Sequence, residues 1–131
     1  MTLNPEKDAL RKHLLEKRDS TSFDLIGIHS EKILSKLMKT KIITEAESIA
    51  CYYSIGSEVQ TVELITRLLN EKKSVSLPRI SSNTISFRII DDLSKLDKGE
   101  FDIPEPKDNA PIQKKHDVIL VPCVGLDGEG N

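Results

Sequence analysis

Residues 47–54, Glu47-Ser48-Ile49-Ala50-Cys51-Tyr52-Tyr53-Ser54, form a short apolar run that ends in polar residues, which is typical of a buried strand. A helical pattern over 62–71 follows, with Thr61 as its expected cap. Residues 74–77, Ser-Val-Ser-Leu, are predicted to form a second strand, which Pro78 is expected to stop. A strand, a helix and a strand in this order predict parallel pairing with a right-handed crossover.

The rest of the chain extends this βαβ unit in both directions. Asn4 and Pro5 are typical of a helix start, as cap and first helical residue, and the helix should run to about Asp19. Further elements are a helix over about 22–39, a strand over 84–90 and a strand over 117–121. The pattern predicts an α/β fold, a three-layer sandwich with a mostly parallel sheet, in one domain spanning residues 1–131.

Charge and composition limit the function classes. Hydrophobic residues make up 37% of the chain and no Trp is present, so the core should be aliphatic. The net charge of −2 argues against a strong nucleic-acid footprint. Residues 1–41 nevertheless carry nine Lys and Arg against six Asp and Glu, so this basic end could meet a polyanion such as a nucleotide.

The two cysteines and the apolar segments indicate the compartment. Cys51 and Cys123 each lie in an apolar run, so both are expected to be small buried hydrophobes, with neither a disulfide nor a zinc site. No segment is typical of a secretion signal or is long enough to span a bilayer. We expect a soluble, cytoplasmic protein.

Two groups of side chains stand out as candidates for binding. Lys7 and Arg11 are four residues apart and share a helix face, where two cations could hold phosphate oxygens. Tyr53 and Glu58 follow a buried strand, and ligands of open α/β sheets bind at the carboxyl ends of strands. The alternatives are an ordinary solvated helix surface and an ordinary turn.

Two further candidates come later in the chain. Arg79 also follows a strand and could face a phosphate, a carboxylate or solvent. The strip 103–106, Ile-Pro-Glu-Pro, is stiff and could form a cleft wall or a plain surface crossover. It belongs to a long aperiodic segment, 99–116, that is expected to be functional or disordered. The three histidines show no ligand spacing, and we assign them no role.

The order of these blocks resembles one known family. Its marks in this sequence are Lys7-x-x-x-Arg11, then Tyr53-x-x-x-x-Glu58, then Leu77-Pro78-Arg79, then Ile103-Pro104-Glu105-Pro106, then residues 117–131 with Asp117-Val118-Ile119-Leu120-Val121-Pro122 and Gly130-Asn131. Together they resemble the 5-formyltetrahydrofolate cyclo-ligases, also called methenyltetrahydrofolate synthetases. The resemblance implies a Rossmann-like sandwich of the ribose-phosphate isomerase and CoA transferase type.

The resemblance also implies an activity and residue roles. The reaction converts 5-formyltetrahydrofolate to 5,10-methenyltetrahydrofolate, with ATP as co-substrate and Mg²⁺ as the metal ion. Lys7 and Arg11 would contact ATP phosphates, and Tyr53 and Glu58 would bind the folate. Arg79, together with Glu105, would line the cleft. Phosphoryl transfer needs positioning and cations rather than a protein nucleophile, so no catalytic residue is assigned.

The family pattern continues past the last residue of this sequence. After Gly-Asn it has Arg-Leu-Gly, a glycine-rich stretch and Tyr-Tyr-Asp, whose aspartate binds magnesium, so no metal ligand is expected within this chain. We expect an N-terminal portion of a cyclo-ligase domain, incomplete at the C-terminus, from a protein that is monomeric at full length. The partners would be small molecules, with no nucleic acid and no membrane. The alternatives are a noncatalytic nucleotide- or folate-binding remnant and a family paralogue with another substrate.

Overall fold

The structure, a computed structural model, describes residues 4–131, so residues 1–3 of the expected domain lie outside it. Its helices are α1 (Pro5–Asp19), α2 (Phe23–Leu37), α3 (Lys41–Thr44) and α4 (Val62–Asn70). Its strands are β1 (Ser48–Ala50), β2 (Ser74–Ser81), β3 (Thr84–Ile90), β4 (Asp97–Lys98), β5 (Pro104–Glu105) and β6 (Val118–Ile119). Two single 3₁₀ turns, Leu93–Lys95 and Glu100–Asp102, flank β4.

The main sheet has the strand order β3-β2-β1-β6. Strand β1 pairs in parallel with both β2 and β6, placing Ile49 opposite Val75 on one side and Val118 on the other. Strands β2 and β3 form an antiparallel hairpin, and β4 with β5 makes a separate two-stranded ribbon. The α/β fold with a mostly parallel sheet is therefore confirmed.

The hydrophobic core lies between one face of this sheet and the helices. Ile49 and Val75 lie opposite each other on neighbouring strands, so their side chains point to the same face of the sheet. Leu34 of α2 and Ile65 and Leu68 of α4 pack in the same cluster. Burial of one such aliphatic side chain contributes roughly 1.5–3 kcal/mol, so this cluster is the main source of stability.

The opposite face of the sheet carries the small residues Ala50 and Ser76 together with Phe87 and Ile89. Ser76 is almost fully buried there, and its hydroxyl lies 3.2 Å from His116 Nε2. The His116 ring also meets Phe87 edge to face, with centroids 5.1 Å apart. The backbone of Ile89 donates to the Pro111 carbonyl, so the segment after β5 runs beside β3. The expected functional or disordered segment therefore has an ordered structural part.

The ends of the first two helices follow the local sequence. Asn4 Oδ1 accepts from the backbone N–H of Lys7 at 3.0 Å, and Ser22 Oγ accepts from that of Leu25. Each such cap contributes about 1 kcal/mol. Within α1 no side chain is buried, whereas α2 buries Ile26 and two residues further along the same stripe. Helix α1 therefore gains little stability from side-chain burial, and its side chains remain accessible.

One expectation about an element end is wrong, and a second holds only in part. Pro78 does not stop β2, which continues to Ser81 opposite β3. The ladder with β1 ends where Ala50 meets Ser76, so beyond it β2 is an edge on that side and proline is tolerated. Thr61 is the N-cap residue of α4 as expected, but its side chain makes no capping hydrogen bond. Its hydroxyl instead donates to the Tyr52 carbonyl at 2.8 Å, which ties the start of α4 to the segment after β1.

Candidate functional site

A cleft of about 570 Å³ lies between α1 and residues 122–131, and we call it the cationic cleft. Helix α1 contributes Lys7, Arg11, Leu14 and Arg18. Their spacing of four, three and four residues places all of them on one helix face. Because α1 buries no side chain, this face is left for the cleft rather than for the core.

Arg11 is held only weakly in this cleft. Its Nη1 atom lies 2.7 Å from Asp8 Oδ1, and both side chains are more than two-fifths exposed. An exposed ion pair of this kind contributes about 0–1 kcal/mol. Because the pair contributes so little, a phosphate group that bound the Arg11 guanidinium through two hydrogen bonds could compete with Asp8 for it.

Arg18 joins α1 to the turn after β1. Its Nε donates to Ser57 Oγ at 2.8 Å, and the Ser57 hydroxyl donates to the Asp19 carboxylate. Two hydrogen bonds through Ser57 thereby connect the helix to the turn. Arg18 is half-buried and lines the cationic cleft.

The far wall of the cationic cleft is the loop 124–131. Gly125 comes so close to α1 that a Cβ there would lie 2.6 Å from Leu14 Cδ1. Asp127 accepts from the backbone N–H groups of Asn131 and Glu129, and these hydrogen bonds hold the pKa of Asp127 below its ordinary value. The Asp127 carboxylate thus organises the loop in its ionised form.

A second cleft of about 180 Å³, which we call the proline cleft, adjoins the first. Tyr53, Pro78, Pro104 and other residues line it, and Glu58 and Pro122 line both clefts. The structure thus brings Lys7 and Arg11 to one side of Glu58 and Tyr53 to the other. The carboxyl ends of β1 and β6 meet here, as expected for a ligand site in an open α/β sheet.

Glu58 is fixed by its own turn. Its Oε1 accepts from the backbone N–H of Ile55 at 2.8 Å, and the side chain is half-buried. Gly56, in the same turn, has φ +54, a left-handed conformation that favours glycine. The turn therefore holds the Glu58 carboxylate at the boundary between the two clefts.

Tyr52 and Tyr53 are adjacent in the sequence but have different environments. The Tyr52 hydroxyl donates to the Val59 carbonyl at 3.0 Å, and burial raises the pKa of Tyr52 to about 12. The Tyr53 hydroxyl makes no hydrogen bond with residues 4–131 and faces the proline cleft with its half-buried ring. Tyr52 therefore supports the turn, and Tyr53 remains available to a ligand.

Arg79 and Glu105 lie apart from the cationic cleft. Arg79 Nη1 donates to the Pro106 carbonyl at 2.7 Å, and Asp97 and Asp108 lie 3.8 and 3.6 Å from its guanidinium. Glu105 is only 5% exposed, and it lines both the proline cleft and a separate groove beside Arg79. Of these two candidates, only Glu105 is brought to the same cleft as Tyr53.

Two residues of the cationic cleft were given no binding role from the sequence. Arg18 received no role, although its spacing of seven from Arg11 places it on the same helix face. Cys123 was expected to be buried, and this is wrong: its thiol is exposed and lines the cleft, because β6 ends at Ile119. Cys51 is buried as expected, and burial raises the pKa of its thiol to about 12.

No preformed cluster of metal-ligating side chains is found among the described residues. Within 4–131 there is no group of three or more His, Cys, Asp or Glu side chains placed to hold a metal ion. The carboxylates that line the cationic cleft, Glu58 and Asp127, already accept backbone hydrogen bonds. We therefore assign no residue of this chain to Mg²⁺. Over the same residues, no helix is both long and apolar enough to cross a membrane.

Two of the solved structures that resemble this chain are 5,10-methenyltetrahydrofolate synthetases. The 5,10-methenyltetrahydrofolate synthetase of Aquifex aeolicus is 31% identical, with a TM-score of 0.83 over 92% of this chain and 62% of its own. The 5,10-methenyltetrahydrofolate synthetase of Mycoplasma pneumoniae is 25% identical, with a TM-score of 0.67 over 92% of this chain and 65% of its own. The chain thus spans less than two thirds of the length of either synthetase.

No curated protein sequence matches the chain. The family model described as the 5-formyltetrahydrofolate cyclo-ligase family matches residues 3–131, nearly the whole sequence. The match agrees with the two synthetase structures in fold and with the order of the sequence blocks. The chain belongs to the 5-formyltetrahydrofolate cyclo-ligase family.

Proposed function

We propose that this chain takes part in the ATP-dependent conversion of 5-formyltetrahydrofolate to 5,10-methenyltetrahydrofolate, with release of ADP and phosphate. The observation that carries the proposal is the junction at Glu58 and Pro122, which line both the cationic cleft and the proline cleft. A phosphate donor in one cleft could therefore reach an acceptor in the other. Two adjoining sites are what a two-substrate transfer requires.

The two clefts suit two different ligands. Lys7 and Arg11 would bind the phosphates of ATP, since both are exposed cations on one helix face. Glu58 would accept hydrogen bonds from the amino groups of the folate heterocycle, and Tyr53 would pack its ring and offer its hydroxyl. Glu105 would close the far end of the folate side.

The reaction steps are those that membership of the cyclo-ligase family implies. The formyl oxygen forms a new bond to the γ-phosphorus, while the bond from that phosphorus to the leaving ADP breaks. N10 of the folate then attacks the activated formyl carbon and loses its proton, and the carbon–oxygen bond breaks to release phosphate. The protein's share is to align the two ligands and to surround the phosphoryl group with positive charge.

The test is calorimetry with each ligand, followed by an assay for the methenyl product by its absorbance. We expect separate binding of ATP and of 5-formyltetrahydrofolate. Arg11→Ala should weaken ATP binding ~10-fold, and Tyr53→Ala should weaken only folate binding. Arg67→Ala, on α4 and away from both clefts, is the matched control and should change neither.

The outcomes separate the candidate functions. Product formation that requires both ligands supports the cyclo-ligase activity. Binding of one or both ligands without any product supports a noncatalytic binding function instead. If neither ligand binds to a folded chain, both functions are ruled out.

A further inference from the structure

We infer that Arg18 contacts the γ-phosphate of the bound nucleotide and is a catalytic residue that stabilises the transferring phosphoryl group. The inference rests on the proposed function, and it concerns a residue that no motif in the sequence assigned. Three observations carry it: the position of Arg18 in the cleft, the way Ser57 orients it, and the state of its terminal amino groups.

The position of Arg18 is the first observation. Arg18 lies seven residues beyond Arg11 along α1, roughly 10 Å further at 1.5 Å per residue. Its hydrogen-bond partner, Ser57, is the residue before Glu58, which separates the two clefts. Arg18 is therefore the α1 cation tied to the junction, whereas Lys7 and Arg11 lie further along the cationic cleft. In a transfer between the clefts, the γ-phosphate must be the part of ATP at this junction.

The orientation of the guanidinium is the second observation. Nε is the atom that Ser57 Oγ holds, and the Ser57 hydroxyl is in turn held by Asp19. A guanidinium fixed through Nε still has its two terminal nitrogens, which can bind two phosphate oxygens side by side. Because this arrangement already exists without ligand, little conformational entropy would be lost on binding.

The state of the terminal nitrogens is the third observation. Neither Nη1 nor Nη2 of Arg18 donates a hydrogen bond to a described residue, and no carboxylate among residues 4–131 lies within ion-pair distance. Arg11, in contrast, is paired with Asp8, and Arg79 is engaged by Pro106 and two aspartates. Arg18 is thus an oriented cation whose charge is not neutralised by a close partner.

The chemical role follows from the charge of the reaction. As the formyl oxygen attacks and the bond to ADP breaks, negative charge is spread over the γ-phosphoryl oxygens and the leaving oxygen. A preorganised guanidinium at that position stabilises this charge more than water would, because it need not reorient during the reaction. In the other interpretation Arg18 is only a staple between α1 and the turn, and it then has no preference for the γ-phosphate.

The experiment compares ATP with ADP, which lacks only the γ-phosphate. Dissociation constants are measured by calorimetry for the wild-type chain and for Arg18→Ala. We expect Arg18→Ala to weaken ATP binding ~10-fold or more while leaving ADP binding unchanged. Ser57→Ala, which removes the positioning hydrogen bond, should weaken ATP binding by a smaller factor, again without effect on ADP.

Two controls keep the result interpretable. Arg67→Ala removes another arginine that joins two helices, through Glu31, but lies outside the clefts, and it should leave both nucleotides unaffected. Arg18→Lys keeps the charge without the guanidinium and should retain part of the preference for ATP. If Arg18→Ala does not fold, Arg18→Lys and Ser57→Ala together decide the question.

The failure of the inference is distinguishable from the failure of the proposed function. Equal loss of ATP and ADP affinity in Arg18→Ala, or no loss at all, would overturn the γ-phosphate contact while the nucleotide site remained. An absence of ATP and ADP binding in the folded wild-type chain would overturn both.

Discussion

The sheet core and the cationic cleft are built on different principles. In the core, Ile49, Ile65, Leu68 and Val75 are completely buried against one another. In the cleft, α1 buries no side chain, and what joins it to the molecule includes the Arg18–Ser57 hydrogen bond and the close approach of Gly125. The difference teaches that the residues that stabilise the core and the candidate ligand-binding residues are separate sets in this protein.

This separation has a physical reason. Aliphatic burial contributes free energy in proportion to the apolar area that is removed from water. Cations that must meet a ligand cannot be buried without a large desolvation cost, so they remain at a solvated cleft. Mutations should therefore divide into those that unfold the chain and those that weaken binding.

The largest effect is expected from truncation of the core. Leu68 is fully buried, so Leu68→Ala should lower the free energy of unfolding by about 2–5 kcal/mol. Leu10 on α1 is 57% exposed, and Leu10→Ala is the matched control, with an expected change within about 0.5 kcal/mol. Urea denaturation of both variants measures the difference. A similar loss from both would contradict the separation.

An intermediate effect on stability is expected at Arg79. The sequence made Arg79 a ligand candidate, but in the structure its guanidinium is engaged by other residues of the chain. Its side chain is 20% exposed and holds the Pro106 carbonyl. Arg79→Ala should lower the free energy of unfolding by about 1–3 kcal/mol, because the buried carbonyl loses its donor. ATP affinity, measured by calorimetry, should not change. If a stably folded Arg79→Ala chain bound ATP more weakly, Arg79 would be a ligand-binding residue rather than a structural one.

The smallest effect on stability is expected from two aspartates, Asp117 beside the sheet and Asp127 in the loop of the cationic cleft. Backbone N–H groups of Glu47 and Ser48 hold the pKa of Asp117 below its ordinary value, and Asp117 thereby fixes the start of β1. A lowered pKa in the folded state means that the stabilisation is present above the ordinary carboxyl pKa and is lost as the pH falls through the folded-state pKa.

The measurement is the melting temperature as a function of pH. Asp117→Asn should melt below wild type at neutral pH, and the gap should close in acid. Asp127, whose pKa is also lowered, holds only the exposed cleft loop, so Asp127→Asn should change the melting temperature less. A larger effect at Asp127 would mean that the cleft loop contributes to global stability.

Much of the secondary structure could be read from the sequence because its signals are local. Asn4 and Ser22 cap the first two helices within three residues of themselves. The βαβ unit needs only periodicity and a chirality rule. The hairpin of β2 and β3 was not predicted, since its turn uses positive φ at Ser82 and Asn83 without a glycine to mark it. The prediction that Pro78 ends β2 was wrong because a strand tolerates proline on an unpaired edge, and the edge begins where the neighbouring strand β1 ends.

By itself, the sequence determined the family, the order of the elements and the chemical types of the candidate residues, since these depend on composition, spacing and motif order. Only the tertiary structure decided which candidates share a site. Lys7 and Arg11 line the same cleft as Glu58 because α1 approaches a turn far along the chain, while Pro106 and two aspartates engage Arg79 elsewhere. The position of Arg18 was also decided by tertiary structure, because its hydrogen-bond partner Ser57 is 39 residues away in the sequence. Such contacts follow from the packing of the whole sheet, which no local pattern specifies.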